Sequence, residues 1–222
     1  MGSELAEQLR RLPFFSALAP AVIEDLAGRA VRQVFGPGDI LFAEGEPSRG
    51  LLLVESGRVK IVKLSPQGRE QTLAILDAWE PANAVAAFTD HPNPATAIAL
   101  EVVTASILPR AAVREVLQAH PEFAEGVIRN MADHMVRLTE MVADLSLRSV
   151  SGRLARLILD GSVDGRLERP RWYTLPELAA QLGTVPDVVQ RALARLAADE
   201  LVEVSRREIR VLDRAGLERL LG

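Results

Sequence analysis

An α+β protein is predicted for this 222-residue chain, with a small antiparallel β-roll first, a long amphipathic helix next, and short helices closed by a charged hairpin last. Three observations carry the prediction. Glycines at 36, 38, 45, 50, 57 and 68 separate short apolar or alternating runs. Residues 122–146 then keep apolar residues on one helical face without a break. Beyond Ser149, capping residues, a Gly-Thr break and a charged turn follow one another closely.

The length suits two ordinary cores, and 48% apolar with 25% charged residues is the composition of folded material rather than disorder. The expected divisions are a roll over 1–120, a helix and hinge over 121–148 and a helical domain with a charged hairpin over 149–222. No stretch approaches the roughly 18 apolar residues of a membrane span, and MGSELAEQLRRL lacks a signal-peptide core, so a cytoplasmic protein without a membrane partner is expected. The absence of cysteine excludes disulfides, thiolate metal sites, cysteine nucleophiles and cysteine-held iron–sulfur clusters. A net charge of -4 rules out a protein coated in positive potential; residues 150–222 carry 12 Arg against 11 Asp plus Glu, so nucleic acid would have to meet a local cluster.

Residues 5–30 read as short helices broken by Pro13 and Pro20, and strands are expected from Gly36 to about Leu108, among them LLLV, RVKIVKL and TLAIL. Pro109 opens a helix, RAAVREVLQAH, which Pro121 interrupts. Along 122–146, Val127, Met131, His134, Leu138, Met141 and Leu145 form one seam. A second runs beside it through Ala124, Ile128, Met131, Met135, Leu138, Val142 and Leu145. So wide an apolar face suits docking on the roll and on a twin helix, and a parallel homodimer is favoured over a helix buried in a monomer.

Ser149 caps a further amphipathic helix, SGRLARLILD, and GSVDGRLERPRW reads as a polar connection. Thr174 with Glu177 forms a capping box for a helix over Leu175–Leu182. Leu178, small Ala179, Leu182, Gly183, Val189 and Ala192 fall where two helices joined by a tight turn need them. Thr184 is expected to cap the second helix, with Pro186 in its first turn and Asp187 at its positive dipole end. Val189, Ala192, Leu193 and Leu196 then face inward, leaving Asp187, Gln190, Arg191 and Ala194 outward. Such side chains read base edges: Arg191 guanine, Gln190 adenine, Asp187 a cytosine amino group, with Val188 against a thymine methyl. LVEVSRREIRVLD reads as a wing of two strands, placing Arg206 and Arg207, with Arg195, for phosphate contact.

Four stretches in this order, "FGPGDILFAEGEPSRGLLLVESGRVKIVKLSPQGRE", residues 122–146, "SVSGRLARLIL" and "YTLPELAAQLGTVPDVVQRALARLAADELV", resemble the bacterial transcription regulators of the cyclic-AMP receptor and fumarate–nitrate regulator family. The resemblance spans nearly the whole chain. It implies a cyclic-nucleotide-binding-like roll (a double-stranded β-helix), a dimer helix and a winged helix-turn-helix. It also implies a homodimer on a two-fold DNA operator with half-sites about 34 Å apart, and RNA polymerase as a further candidate partner. Thr174, Thr184, Asp187, Val188, Gln190, Arg191, Arg195, Arg206 and Arg207 are the DNA-side residues it supports. Pro186 stands where family recognition helices carry their first arginine, and Asp187 where they carry glutamate.

The family's nucleotide binders carry Gly-Glu and Arg-Ser/Thr-Ala elements, so that the arginine and the short helix's backbone hold the cyclic phosphate while the carboxylate takes the ribose hydroxyl. This chain places Asn83 and Ala84 at the first and Asn93, Pro94, Ala95 and Thr96 at the second. A buried phosphate without its guanidinium is an unpaired charge, so cyclic AMP is not expected as the ligand, and a different small effector or none remains open. His91, His120 and His134 are the available haem ligands, each better read as an ordinary surface or packed histidine, and no cofactor or metal ligand is assigned. Two other classes compete. A cupin-like enzyme needs clustered His and carboxylate ligands, which three scattered histidines do not supply, so no enzyme is expected. A regulatory or protein-interaction module that does not bind DNA is the alternative to the regulator.

Overall fold

The computed structural model describes residues 2–13 and 15–221. Helices α1 (Gly2–Arg11) and α2 (Pro20–Gly28) lead into β1 (Val31–Phe35), β2 (Ile40–Phe42), β3 (Gly50–Ser56), β4 (Val59–Leu64), β5 (Glu70–Leu76) and β6 (Pro81–Ala82). After the short α3 (Ala84–Phe88) come β7 (Thr96–Ala99), β8 (Val103–Pro109), α4 (Arg110–Ala119) and the long α5 (Pro121–Leu147). The rest is α6 (Val150–Gly161), β9 (Arg166–Glu168), α7 (Leu175–Gln181), α8 (Pro186–Ala198), β10 (Val202–Val204), β11 (Glu208–Val211) and α9 (Arg214–Arg219). Two compact units result, one running to Lys63 and resuming over Leu73–Val136, the other formed by Leu64–Thr72 with Arg137–Gly222.

In the first unit, sheets ordered β1-β8-β3-β6 and β2-β7-β4-β5 both contribute to one core, which includes Leu52, Val54, Val59, Ala97, Ala105 and Ile107. Strand β3 explains why its sequence is apolar without alternation. Successive side chains point to opposite faces. Leu52 and Val54 enter the roll, while Leu51 and Leu53 join a second core with Leu9, Phe15, Ile23, Leu26, Val113 and Phe123 from the helices. A strand covered on both faces needs a continuous apolar run. Its first residue, Gly50, pairs with Pro109 at φ +155°, and a Cβ there would lie 1.9 Å from the Leu108 carbonyl oxygen. Only glycine permits that approach.

Two strands fall outside the sequence expectation. β1 precedes Gly36, where strands were expected to begin, and β9 lies inside the supposed connection after α6. Both are edge strands. β1 exposes Val31 and Val34, and β9 buries only Leu167 between two charged residues, so neither has enough inward side chains to show a period of two.

Helix α5 starts with Pro121 at its first position, where the missing N–H costs nothing. The structure corrects the choice of seam along it. Val127, expected at a dimer interface, is 5% exposed and belongs with Phe123 to its own chain's core, with Met131 packed beside them. Leu138, Met141 and Leu145 are half-buried, and His134 is exposed. Among the apolar residues of α5 that reach the surface, Ile128, Met135 and Val142 recur seven residues apart on the neighbouring seam, with Val136 and Leu147 also exposed. Turning by about 100° per residue places Val127 and Ile128 on adjacent faces, and the roll takes the first.

The second unit packs α6, α7, α8 and α9 around Leu154, Ile158, Leu178, Leu193, Leu196 and Leu217. Strands β10, β11 and β9 close it. Ser149 caps α6 by accepting from the Gly152 N–H at 3.1 Å.

Candidate nucleic-acid interface

Helix α7 begins at the capping threonine: Thr174 Oγ1 accepts from the Glu177 N–H at 3.4 Å, so its hydroxyl is engaged in the helix. The chain turns at Gly183, whose φ of +63° lies in the left-handed region; a Cβ there would meet Leu145 Cδ2 at 2.6 Å. Thr184 then donates its N–H to Ala179 O at 2.9 Å. The expectation that Thr184 caps α8 is corrected. The N-cap is Val185, in an extended conformation and without a side-chain bond, and Pro186 opens the helix directly. Proline favours an extended residue before it and presets its own φ, which sharpens the start without a hydroxyl cap.

Val189, Ala192, Leu193 and Leu196 are buried as one stripe of α8. Asp187, Gln190, Arg191 and Ala194 are exposed on the other side, with Val188 half-buried at the edge. Among the described residues Arg191 and Gln190 have no hydrogen-bond or ion-pair partner within the chain. Arg195 is 79% exposed and lies 3.8 Å from Asp199, one turn further along. The outward face thus presents a carboxylate, an amide and a guanidinium within the first two turns, at the end where the helix dipole is positive.

The wing is β10 and β11 paired Val202↔Val211 to Val204↔Ile209, and Arg206 and Arg207 are exposed in its turn. Ser205 Oγ accepts from the Arg207 and Glu208 N–H groups and fixes that turn. Arg169, which the sequence reading passed over, braces it from outside: its N–H donates to Arg207 O at 2.6 Å and its Nη1 to Ser205 O at 3.0 Å. A contact between residues 36 positions apart leaves no local sequence signal.

In the roll, the residues expected at phosphate-binding positions are hydrogen-bonded to one another and to neighbouring segments. Asn83, left-handed at φ 65° as the N-cap of α3, donates from Nδ2 to Ser48 Oγ at 3.0 Å and to Asn93 Oδ1 at 2.9 Å. Asn93, 2% exposed, donates from Nδ2 to Ala43 O at 2.9 Å. Thr96 Oγ1 accepts from the Glu44 N–H at 3.0 Å, and Pro94 O accepts from Lys63 Nζ at 3.0 Å. Ala95 is buried, and Ala84 starts α3. Asn83 and Asn93 line a cavity of about 560 Å³ with Phe35, Phe42, Leu52 and Arg49. Among the described residues the side-chain amides of Asn83 and Asn93 bond to Ser48, Ala43 and each other, with no guanidinium bonded to either, although Arg49 lines the same cavity.

Comparison with known proteins follows the same division. The cyclic nucleotide-binding domain model matches residues 32–120, and the Crp-like helix-turn-helix domain model matches residues 152–220. The chain belongs to the CRP/FNR family of transcription regulators. It is 29% identical over 219 residues to the CRP-like cAMP-activated global transcriptional regulator of Mycobacterium tuberculosis, covering 96% of this chain and 98% of that protein. It is 28% identical over 215 residues to the cyclic AMP receptor protein of Thermus thermophilus, covering 94% and 96%. A solved CRP-family transcriptional regulator of Thermus thermophilus, TTHB099, superposes with a TM-score of 0.67 at 26% identity, over 86% of this chain and 96% of that one. The family consists of transcription regulators with a helix-turn-helix DNA-binding domain, not of enzymes.

In this regulator the three histidines lie apart. His91 is exposed beside α3, His120 ends α4 with Nδ1 3.2 Å from Glu122, and His134 is on the exposed side of α5. No helix among the described residues is long and apolar enough to cross a membrane.

Proposed function

We propose that this regulator acts as a homodimer on a two-fold symmetric DNA operator, each protomer laying the start of α8 in a major groove, and that its roll does not respond to cyclic AMP. The observation that carries the DNA half is the outward face of α8. Asp187, Gln190 and Arg191 are exposed on a helix whose opposite stripe is locked into the core, so their positions are fixed while their polar atoms remain available. Arg191 suits a bidentate contact to guanine, Gln190 to adenine and Asp187 to a cytosine amino group. Arg195, Arg206 and Arg207 suit phosphate oxygens, the wing held ready by Arg169.

The test is Arg191→Ala, measured on the selected operator, on single-base variants of it and over a range of salt. A base reader loses about 1–3 kcal/mol on the cognate site, relaxes discrimination at one base pair, and leaves the salt slope unchanged. Uniform weakening on every sequence, with the slope reduced by about 1, would make Arg191 a phosphate contact instead. A flat salt dependence of the unmodified protein would support the alternative, a module that binds protein rather than DNA.

The cyclic-AMP half rests on the amide network. Asn83 spends its N–H groups on Ser48 Oγ and Asn93 Oδ1, Asn93 donates to Ala43 O, and neither amide supplies a positive charge to a phosphate. Calorimetry with cyclic AMP is expected to show no binding in the micromolar range. A micromolar or tighter dissociation constant would overturn this reading of Asn83, Ala84 and Asn93.

A further inference from the structure

The turn between α7 and α8 decides where the recognition helix begins, and its Leu182 and Gly183 carbonyls are held from outside the motif. A helix end leaves its last carbonyls without intrahelical donors and carries partial negative charge. In α7 the Leu178 and Ala179 oxygens are taken by the Leu182 and Thr184 N–H groups. Leu182 O and Gly183 O follow. Leu182 O accepts from Arg153 Nε at 2.9 Å, and Gly183 O accepts from Arg69 Nη2. Arg153 comes from α6, and Arg69 from the segment Leu64–Thr72 that belongs to the same compact unit.

Arg153 serves a second helix end as well. Its Nη1 donates to Arg148 O at 2.7 Å, with longer approaches to Leu145 O at 3.4 Å and Asp144 O at 3.5 Å, all at the C-terminal end of α5. Neither α5 nor α7 has a basic residue in its own last turn. Arg153 therefore brings one shared guanidinium to both helix ends, its planar fork pointing donors toward each, beside Arg69 at the α7 end and Arg148 just after α5. Gly183 adds a steric reason for the same fixed placement: a Cβ on it would collide with Leu145 Cδ2 and come within 2.9 Å of Gln71 Oε1.

We infer that Arg153 and Arg69 are positioning residues for DNA reading: by holding the consecutive carbonyls of Leu182 and Gly183 they set the direction in which α8 is presented. The inference rests on the proposed role of α8. Arg153 is half-buried and dominates; Arg69 is exposed, so water competes for its bond and its share is smaller. Loss of either leaves the stripe of α8 packed and its outward side chains intact, but lets the helix start swing.

The experiment uses the full-length protein, a duplex carrying the site it selects from a random pool, and a scrambled duplex of equal length. Arg153→Gln is expected to lower the ratio of specific to scrambled affinity about tenfold, from the loss of charge-assisted bonds. Affinity for the scrambled duplex, set by phosphate contacts, stays within about twofold. Arg153→Lys, with one point charge for two helix ends, recovers part of the ratio. Arg69→Gln lowers it about threefold, and being exposed it cannot fail by unfolding the domain. A merely structural role would instead lower both affinities together, in step with the folded fraction seen by circular dichroism. An unchanged ratio in folded Arg153→Gln and Arg69→Gln overturns the inference while leaving DNA reading by α8 standing. Absence of discrimination in the unmodified protein would overturn both.

Discussion

Ile128→Glu combined with Val142→Glu is expected to turn the protein into a monomer in sedimentation and to weaken operator binding by about two to four orders of magnitude, the range separating linked from single binding modules. The two side chains are 65% and 62% exposed on α5 and lie two heptads apart, with Met135 between them. A single chain leaves Ile128 and Val142 largely exposed, which is unfavourable by about 1.5–3 kcal/mol per large side chain relative to burial. A facing copy of the same helix would cover them by knobs-into-holes packing, and glutamates placed there would be buried as like charges. Val127→Glu would not serve as the same test, because Val127 lies in the chain's own core. A double variant that remains dimeric would show that the pairing surface is elsewhere.

Leu178→Ala is expected to destabilise the second unit by about 2–5 kcal/mol, read as the denaturant midpoint of its transition. Leu178 is fully buried at the centre of α7, among Ile158, Val189, Leu193 and Leu196. Its truncation removes the transfer energy of the side chain and leaves a cavity beneath both helices of the motif. Specific DNA binding falls with it, since the α8 stripe loses its seat. Arg195→Ala is the contrasting substitution. Its side chain is 79% exposed with only a 3.8 Å approach to Asp199, so stability should move by no more than about 0.5 kcal/mol. A midpoint for Leu178→Ala within that small range would show that the second unit does not depend on this core.

The recognition motif was readable because each of its demands is local. A threonine three residues before glutamate, a glycine at a positive φ, a proline at a helix start and apolar residues three and four apart constrain the chain over a few bonds. The capping of α7, the place of α8 and its buried stripe follow from them. The cap assigned to Thr184 failed because Pro186 already restricts Val185 to an extended conformation, which places the helix boundary one residue later. Strands β1 and β9 were missed because edge strands with one or two inward residues show no period.

By itself, then, the sequence determined the order of roll, long helix and winged motif and the outward placement of Asp187, Gln190 and Arg191. These depend on periodicity, turn chemistry and residue identity, all short in range. Tertiary structure decided which of two adjacent α5 seams the chain keeps for itself, since that depends on where Phe123 and Val127 meet the core between β3 and the helices. It also decided which arginines hold other elements in place. Arg69, Arg153 and Arg169 donate to carbonyls 114, 29 and 36 residues away, and a backbone acceptor leaves no mark in the sequence because every residue offers the same one.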